Sequence, residues 1–285
     1  MIAFVILHYQ AIDETKDCVR TIKEKVTAEK KIIVVDNCSP NKSGQELNQY
    51  FDSDNEVDVI LLESNMGFAK GNNMGYRVAK SYDPKYIVVM NNDAFIDCDD
   101  MEKLIDKAYK ETAFDILGPD IYSTRDKIHQ NPHRMNNFSL DELKKQYRFL
   151  KLKNNFKFLL RIKYAFPISR KRNVKENEYI DTRLENVVLH GACYIYSVSF
   201  IEQHNCCLYD DTFMYYESYI LHMLAVREKL NLVYDPAIKI KHHEDVATNM
   251  SHGKGYQKAI FTNKWLMDSC RRFIDAYTNK DIRIG

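Results

Sequence analysis

The stretch Tyr86-Ile87-Val88-Val89-Met90-Asn91-Asn92-Asp93 joins an apolar run to a polar end without any polar alternation before it. Such a run predicts a strand that is buried on both faces, as in parallel sheets. Similar runs occupy Ile2–Leu7, Ile32–Val35 and Val57–Leu62, and helical periodicity separates them, as in residues 70–81. The sequence therefore predicts an α/β fold, with a mostly parallel sheet flanked by helices.

Polar side chains follow three of these runs directly, at His8-Tyr9-Gln10, at Asp36-Asn37 and at Asn91-Asn92-Asp93. Ligands of such sheets bind at the carboxyl ends of the strands, so we predict a ligand site there. Asp36 could accept hydrogen bonds from a nucleobase or a ribose, or it could cap the following turn. The Asn91–Asp93 tripeptide could bind a ribose and Mg²⁺ or Mn²⁺, or it could form an ordinary turn.

The segment Asn65–Gly75 is the most distinctive loop in the chain. It holds three of the nine glycines and leads into a predicted helix. Glycines allow the backbone to approach a ligand closely, and a helix N-terminus favours anions. Lys70 adds a positive charge. The spacing matches neither a Walker loop nor a dinucleotide fingerprint, yet it favours a binding loop over a plain junction.

Three further clusters in the second half could carry chemistry. His190-Gly191-Ala192-Cys193 lies in a predicted strand from Val187 to Tyr196, where small residues could admit a sugar or another backbone. Glu217 lies among aromatic residues, and burial among them would raise its pKa towards the range of a general base. Alternatively, Glu217 could simply be a carboxylate at the start of a helix, where the helix dipole stabilises negative charge. His242 and His243 follow an apolar run, and adjacent strand residues point to opposite faces, so one of them at most should join a given site.

The charges are distributed unevenly. The formal net charge is +1, but residues 143–175 hold twelve Lys or Arg and no acid, which leaves −11 on the other 252 residues. A capping box, Ser139 to Glu142, opens a helix that enters this segment. An apolar face flanked by Lys and Arg is predicted from residues that recur at spacings of three and four: Phe149, Leu152, Phe156, Leu159, Ile162 and Phe166. That face could dock on an anionic membrane, or it could pack against the rest of the chain or a second subunit in a homodimer.

Composition excludes several classes of protein. A hydrophobic fraction of 45% is too high for a disordered chain, and no stretch reaches the roughly 18 apolar residues that span a bilayer. The seven cysteines form no Cys-x-x-Cys pair, which favours a reducing cytoplasm. No recognised nucleic-acid-binding module accompanies the basic segment, so we expect no nucleic acid as a partner.

Taken in order, these motifs resemble the family-2 nucleotide-sugar glycosyltransferases of GT-A fold. The string Asn65-Met66-Gly67-Phe68-Ala69-Lys70-Gly71-Asn72-Asn73-Met74-Gly75 carries most of the resemblance. The chain is most similar to bacterial rhamnosyltransferase-like enzymes of capsule, O-antigen and exopolysaccharide synthesis. The resemblance implies a Rossmann-like GT-A domain with a nucleotide-sugar-binding half (1–138), a basic helical insertion (139–180), an acceptor-binding half (181–252) and a C-terminal helical segment (253–285).

The resemblance also implies roles for individual residues. Glu217 would be the catalytic base. Acceptor binding would involve His190, Gly191, Ala192 and Tyr216. Asp93 would hold Mg²⁺ or Mn²⁺, helped by His243 or alternatively His242. The nucleotide would be bound by His8, Tyr9, Asp36, Asn65, Gly67, Phe68, Lys70, Gly71, Asn72, Asn91 and Asn92.

One departure from the family pattern affects the mechanism. The family usually has Glu-Asp where this chain has Glu217-Ser218, and Ser218 cannot act as a base at neutral pH. Either Glu217 takes the proton, a nearby acid replaces it, or the enzyme is impaired. The last alternative would leave a non-catalytic nucleotide-sugar-binding component of a polysaccharide-synthesis complex.

The implied reaction is inverting transfer from dTDP-rhamnose or a UDP-hexose to a glycan or polyprenyl-diphosphate-linked acceptor. The expected location is the cytoplasm, with a peripheral position on the inner face of the plasma membrane as an alternative. A sugar-1-phosphate nucleotidyltransferase is disfavoured, because its Gly-rich basic loop is missing after the first run, at His8-Tyr9-Gln10-Ala11.

Overall fold

A computed structural model describes residues 1–156, 179–243 and 255–285, and places nine strands in one sheet. The strands are β1 (Ile2–His8), β2 (Lys30–Asp36), β3 (Val57–Leu61), β4 (Tyr86–Asn91), β5 (Ala94–Ile96), β6 (Ile116–Ser123), β7 (Leu184–Glu185), β8 (Cys193–Ser197) and β9 (Leu232–His242). Their order is β3-β2-β1-β4-β8-β6-β9-β5, and β7 pairs with β9.

The sheet is mostly parallel, as predicted. Strands β1 to β4 pair in parallel, and β6 pairs in parallel with β9. Strand β8 lies antiparallel between β4 and β6. Strands β1 to β4 therefore run in the same direction as β6 and β9. The short strands β5 and β7 run antiparallel to β9. The carboxyl ends of β1, β2, β4 and β9 therefore lie along one edge.

Helices cover both faces of this sheet. They are α1 (Ile12–Lys25), α2 (Ser43–Tyr50), α3 (Phe68–Lys80), α4 (Met101–Thr112), α5 (Leu140–Asn155), α6 (Val198–Gln203), α7 (Glu217–Glu228) and α8 (Tyr256–Thr278). Alternate residues of β1 enter different cores: Phe4 and Ile6 pack with α1 and α4, whereas Ala3 and Val5 pack with α3 and α7. This two-sided burial explains why the strand sequences lack polar alternation.

Several predicted elements differ from the observed ones. The predicted helix over 70–81 begins two residues earlier, at Phe68. The strand predicted from Val187 to Tyr196 is wrong in its first half, because β8 begins only at Cys193. Before it, Val188 forms an isolated bridge with Arg134, and the His190 backbone amide donates to the Asn131 side chain. This irregular backbone carries the His190–Ala192 cluster past the sheet edge.

The predicted capping box is confirmed. The Ser139 side chain accepts from the Glu142 amide, and Glu142 accepts from the Ser139 amide. The α5 helix it opens packs on α8. The rest of the predicted insertion, from residue 157 to 178, lies outside the described residues, and the predicted domain boundaries stay predictions. Within the described residues, no helix has the length and apolarity needed to cross a membrane.

Candidate active site

A cavity of about 870 Å³ opens at the predicted edge of the sheet. One wall comes from the ends of β1 and β4 and from the loop before α3. The opposite wall comes from α5, α7 and α8 and the segments before them. Predicted residues in its walls are Tyr9, Asn65, Gly67, Phe68, Asn91, Asn92, Asp93, His190, Gly191, Ala192, Tyr216, Glu217 and His242. Residues far apart in sequence thus line one cavity.

Asp93 and His242 form the polar centre of the cavity. Both are more than nine-tenths buried, and His242 Nε2 lies 3.2 Å from Asp93 Oδ1. The other ring nitrogen, Nδ1, donates to Gln130 Oε1 at 2.8 Å. In a neutral imidazole this bond leaves Nε2 as an acceptor that faces a carboxylate oxygen. Two acceptors in contact suit a shared cation, and the Gln130 bond is the kind of support that fixes a metal-ligating histidine.

His243 follows the last residue of β9 and does not line the cavity. Its Nδ1 is 3.2 Å from Glu14 Oε2, and its ring lies 4.4 Å from that of Phe95. This placement agrees with the prediction that only one of the adjacent histidines faces the site, and that residue is His242. No group of three or more His, Cys, Asp or Glu side chains in the described ranges is placed to hold a metal ion. A cation would therefore need ligands from a bound molecule in addition to Asp93 and His242.

The loop before α3 is organised by Asn37. The Asn37 side chain donates to Gly67 O and to Asn65 Oδ1, both at 3.1 Å, and accepts from the Met66 amide at 2.8 Å. Gly67 has φ +82°, and a Cβ there would lie 2.4 Å from Phe213 O. The Phe68 amide donates to this same carbonyl at 2.7 Å. The loop therefore contacts the segment that carries Glu217.

His8 and Asp36 lie behind the cavity wall. The fully buried His8 ring bonds Thr15 Oγ1 at 2.7 Å and Ser43 Oγ at 2.8 Å, and burial lowers its pKa to about 4. The Asn92 side chain also donates to Thr15 Oγ1, at 3.0 Å, so His8 supports Asn92 through this hydroxyl. Asp36 accepts from the Ser39 amide, which is the turn-capping alternative. Neither side chain lies in the cavity wall. This placement disagrees with the prediction that His8 and Asp36 contact the nucleotide directly.

The later residues of the glycine-rich string also have structural positions. Gly71 packs on Leu7, where a Cβ would come within 2.5 Å of a methyl carbon. Asn72 donates to Phe68 O at 2.9 Å within the helix. Lys70 is exposed, and it does not line the cavity. The ligand-facing part of the string is thus confined to its first four residues, because α3 begins at Phe68 and the later residues do not line the cavity.

Histidines continue the cavity wall beyond His242. The His190 ring lies 5.8 Å from that of His242 and is stacked at 5.1 Å on that of His133. Burial lowers the pKa of His190 well below its usual value. The Ala192 amide donates to His190 Nδ1 at 3.2 Å, so the proton of the neutral ring is on Nε2. The pair is uncharged at neutral pH and presents imidazole edges and faces to a ligand.

Glu217 is the one carboxylate that the second half contributes to the cavity wall in the described residues. It is the first residue of α7 and is 9% exposed. Burial raises its pKa from 4.5 to about 7, although a hydrogen bond from Thr212 Oγ1, 3.2 Å from Glu217 Oε1, opposes that rise. The preceding Tyr215 and Tyr216 both have positive φ, 75° and 66°. Strained backbone of this kind occurs where a side chain must be held in a set position.

Ser218 also faces the cavity, but it is already engaged. Its Oγ accepts from the Tyr194 hydroxyl at 2.8 Å. Gly191 lies directly opposite, since a Cβ on it would be 3.2 Å from Ser218 Oγ. Ser218 therefore supplies a small polar surface beside Glu217.

The sequence did not single out several residues of the site: Gln130, His133, Phe138, Gln146 and Thr212. Of these, Thr212 supports Glu217 without lining the cavity. Phe138 and Tyr219 have ring centroids 4.8 Å apart and form an aromatic wall suited to a sugar face. The signal that could have found part of this set is the run His129-Gln130-Asn131-Pro132-His133, which places two histidines and two amides within the polar segment between β6 and α5.

Comparison with known proteins gives a family match. The sequence model described as Glycosyl transferase family 2 matches residues 3–173, more than half of the chain. Glycosyltransferase GlyG of Streptococcus pneumoniae serotype 4 is 28% identical over 118 residues, 41% of this chain and 38% of that protein. TuaG of Bacillus subtilis (strain 168), whose name places it in teichuronic acid biosynthesis, is 29% identical over 114 residues, 40% and 41% of the two chains. The matches span about two fifths of these relatives.

Solved structures share the fold. TarS 1–349 of S. aureus in complex with UDP aligns with a TM-score of 0.55 at 12% identity, over 99% of this chain and 67% of that one. GalNAc-T7 with UDP, GalNAc and Mn²⁺ aligns with a TM-score of 0.56 at 11% identity, over 85% and 44%. These likenesses confirm the predicted GT-A fold.

Proposed function

Because the chain belongs to glycosyl transferase family 2, we propose that it transfers a sugar from a nucleoside-diphosphate sugar to a hydroxyl group of a bacterial surface polysaccharide, with inversion at the anomeric carbon. The observation that carries the proposal is the position of Glu217. Its buried carboxylate lies in the wall of the same cavity as Asp93 and His242. A base and a site for a leaving diphosphate are the two elements that direct displacement requires.

The donor would lie along the wall made by the first half. Tyr9 and the Asn65–Phe68 loop are available to the nucleobase and ribose, and Asn91 and Asn92 line the path towards Asp93. The TarS complexes contain UDP and, in another structure with a TM-score of 0.53, UDP-GlcNAc. These ligands support a UDP-hexose donor, while dTDP-rhamnose is favoured by the sequence resemblance alone.

Asp93 and His242 would hold a divalent cation. A carboxylate and an imidazole together suit Mn²⁺, and the adjacent acceptors Asp93 Oδ1 and His242 Nε2 fit such an ion. When bound, the ion supplies positive charge where the departing diphosphate becomes more negative. The Mn²⁺ in the GalNAc-T7 structure supports the same interpretation.

Glu217 performs the proton transfer. Its carboxylate takes the proton of the acceptor hydroxyl as the acceptor oxygen attacks the anomeric carbon. The bond from that carbon to the diphosphate oxygen breaks, and its electron pair leaves with the nucleoside diphosphate. A pKa of about 7 keeps much of the carboxylate ionised at neutral pH while making it a stronger base than an exposed glutamate.

The acceptor would enter from the side of α5 and α7. Phe138 and Tyr219 offer an apolar wall, and the Tyr194–Ser218 pair lies beside Glu217. Gly191 leaves room for a sugar ring at this point because a larger side chain would contact Ser218. We propose a glycan or a polyprenyl-diphosphate-linked sugar as the acceptor.

A non-catalytic binding component is the competing proposal, favoured by Ser218 in place of the usual Asp. Incubating the chain with UDP-sugars and dTDP-sugars, Mn²⁺ and an acceptor extract separates the two. Transfer by the native chain, with a loss of about 10²–10⁴-fold in Glu217→Gln, supports the enzyme. Donor-induced thermal stabilisation without transfer supports the binding component.

A further inference from the structure

One side of α5 exposes large apolar side chains. The helix packs Leu143 and Leu150, which are 0% and 3% exposed, into the core shared with α8. Phe149 and Leu152 lie on another face and are 62% and 57% exposed. Residues three apart are neighbours on a helix surface, so these two side chains form one patch. In this part of the helix, packing against the rest of the chain therefore uses residues other than Phe149 and Leu152.

Cations surround this patch. The residues of α5 between 143 and 155 include Lys144, Lys145, Arg148, Lys151 and Lys153, and none is acidic. No ion pair joins these five to any acid within the part of the chain that the structure describes. All five are exposed except Lys153, which is half-buried. Cations without carboxylate partners beside an apolar patch are complementary to anionic lipid headgroups above acyl chains.

The patch begins beside the cavity. Gln146 belongs to the same helix and lines the cavity, and Phe149 lies three residues further on, at neighbour distance. Phe138, which precedes α5, also lines the cavity. A surface that receives Phe149 and Leu152 would therefore be close to the acceptor side of the site.

We propose that the exposed face of α5, defined by Phe149 and Leu152 with Lys145, Arg148 and Lys153, docks on an anionic lipid leaflet. Docking brings the cavity to the acceptor's own surface, so a sugar carried by a lipid can reach Glu217 while its lipid stays in the leaflet. The docking surface stands on the contacts of α5, whereas the link to a lipid-borne acceptor rests on the proposed function.

Vesicle flotation of the full chain tests the proposal, with phosphatidylcholine vesicles compared with vesicles that also contain phosphatidylglycerol. We expect binding to the anionic vesicles, weakened by added salt. The double variant Phe149→Gln/Leu152→Gln should lower partitioning at least about tenfold. Its matched control is Tyr50→Gln/Val226→Gln, which removes apolar side chains that are 60% and 49% exposed on α2 and α7.

The charge requirement is tested in the same assay. Lys145→Gln/Arg148→Gln/Lys153→Gln should lower partitioning by about fivefold per cation. Three lysines of α4 provide the control, as Lys103→Gln/Lys107→Gln/Lys110→Gln, which makes the same change of net charge elsewhere.

Four results would overturn the proposal. The first three are no vesicle binding by the native chain, equal binding to both vesicle types, and equal losses of binding in the control variants. The fourth is a native chain that binds no vesicles and forms a homodimer, which the Phe149→Gln/Leu152→Gln substitutions dissociate. Flotation uses neither donor nor acceptor, so its outcome is separate from that of sugar transfer. If the chain transfers sugar but does not bind vesicles, the docking proposal is wrong and the proposed function is unaffected.

Discussion

Replacing Glu217 by Gln should abolish most activity and yet stabilise the protein at neutral and alkaline pH. Burial raises the pKa of this carboxyl from 4.5 to about 7, so the folded state binds its proton more tightly than the unfolded chain does. Stability from this group is therefore complete below about pH 4.5 and falls as the pH rises through 7. Glutamine keeps the shape of the side chain and removes the titration.

The size of the effect follows from the two pKa values. A difference from 4.5 to about 7, at about 1.4 kcal/mol per pH unit, corresponds to about 3 kcal/mol once the carboxylate is ionised. Between pH 6 and pH 8 the unfolded chain stays ionised while the folded chain changes from mostly protonated to mostly ionised. The unfolding free energies of the variant and the native chain should diverge by about 1.4 kcal/mol over this interval.

Urea unfolding of both proteins at pH 6, 7 and 8 measures this divergence without any donor or acceptor. Glu46→Gln is the matched control, because Glu46 also lies in the first turn of a helix but is exposed. Its replacement should leave the pH dependence as in the native chain. A constant difference between native and Glu217→Gln proteins across this range would refute the burial argument, and with it the case for Glu217 as a base poised near neutrality.

Three further changes test other parts of the site. Thr212→Val removes the hydrogen bond to Glu217, so the pKa of that carboxyl should rise further. In a plot of transfer rate against pH, the acid limb should therefore move to higher pH, and activity should recover in alkaline buffer. His242→Ala should remove stimulation by Mn²⁺ whereas His243→Ala retains it, as read from transfer rates during metal titration; the opposite result would reverse the assignment. Gly67→Ala should cost at least about 1 kcal/mol in urea unfolding, because φ is +82° and its Cβ would meet a backbone carbonyl at 2.4 Å.

The fold was predictable from sequence because apolar runs report burial directly. Runs such as Tyr86–Met90 have no polar alternation, and only a sheet covered on both faces accommodates them. The polar residues at their ends were correctly located at one edge of the sheet. Their individual roles were less accessible, since whether a side chain faces a cavity depends on the neighbouring elements. His8 illustrates this point, because hydroxyls from α1 and α2 enclose its ring.

The second half of the site was harder to predict for a different reason. Gln130 and His133 belong to irregular backbone between β6 and α5, where no periodicity indicates which way a side chain points. Thr212 matters only through its contact with Glu217. Tertiary contacts decide the roles of these residues, and a single sequence gives little information about tertiary contacts.

The proposed transfer requires that one cavity binds the nucleotide sugar and deprotonates the acceptor through Glu217. Quantifying nucleoside diphosphate and glycosylated acceptor together, for native and Glu217→Gln chains in saturating donor and Mn²⁺, tests it most directly. The native chain should give equal amounts of both products, with the anomeric configuration opposite to that of the donor, and the variant should lose about 10²–10⁴-fold in rate. Full transfer by a folded Glu217→Gln chain would contradict it.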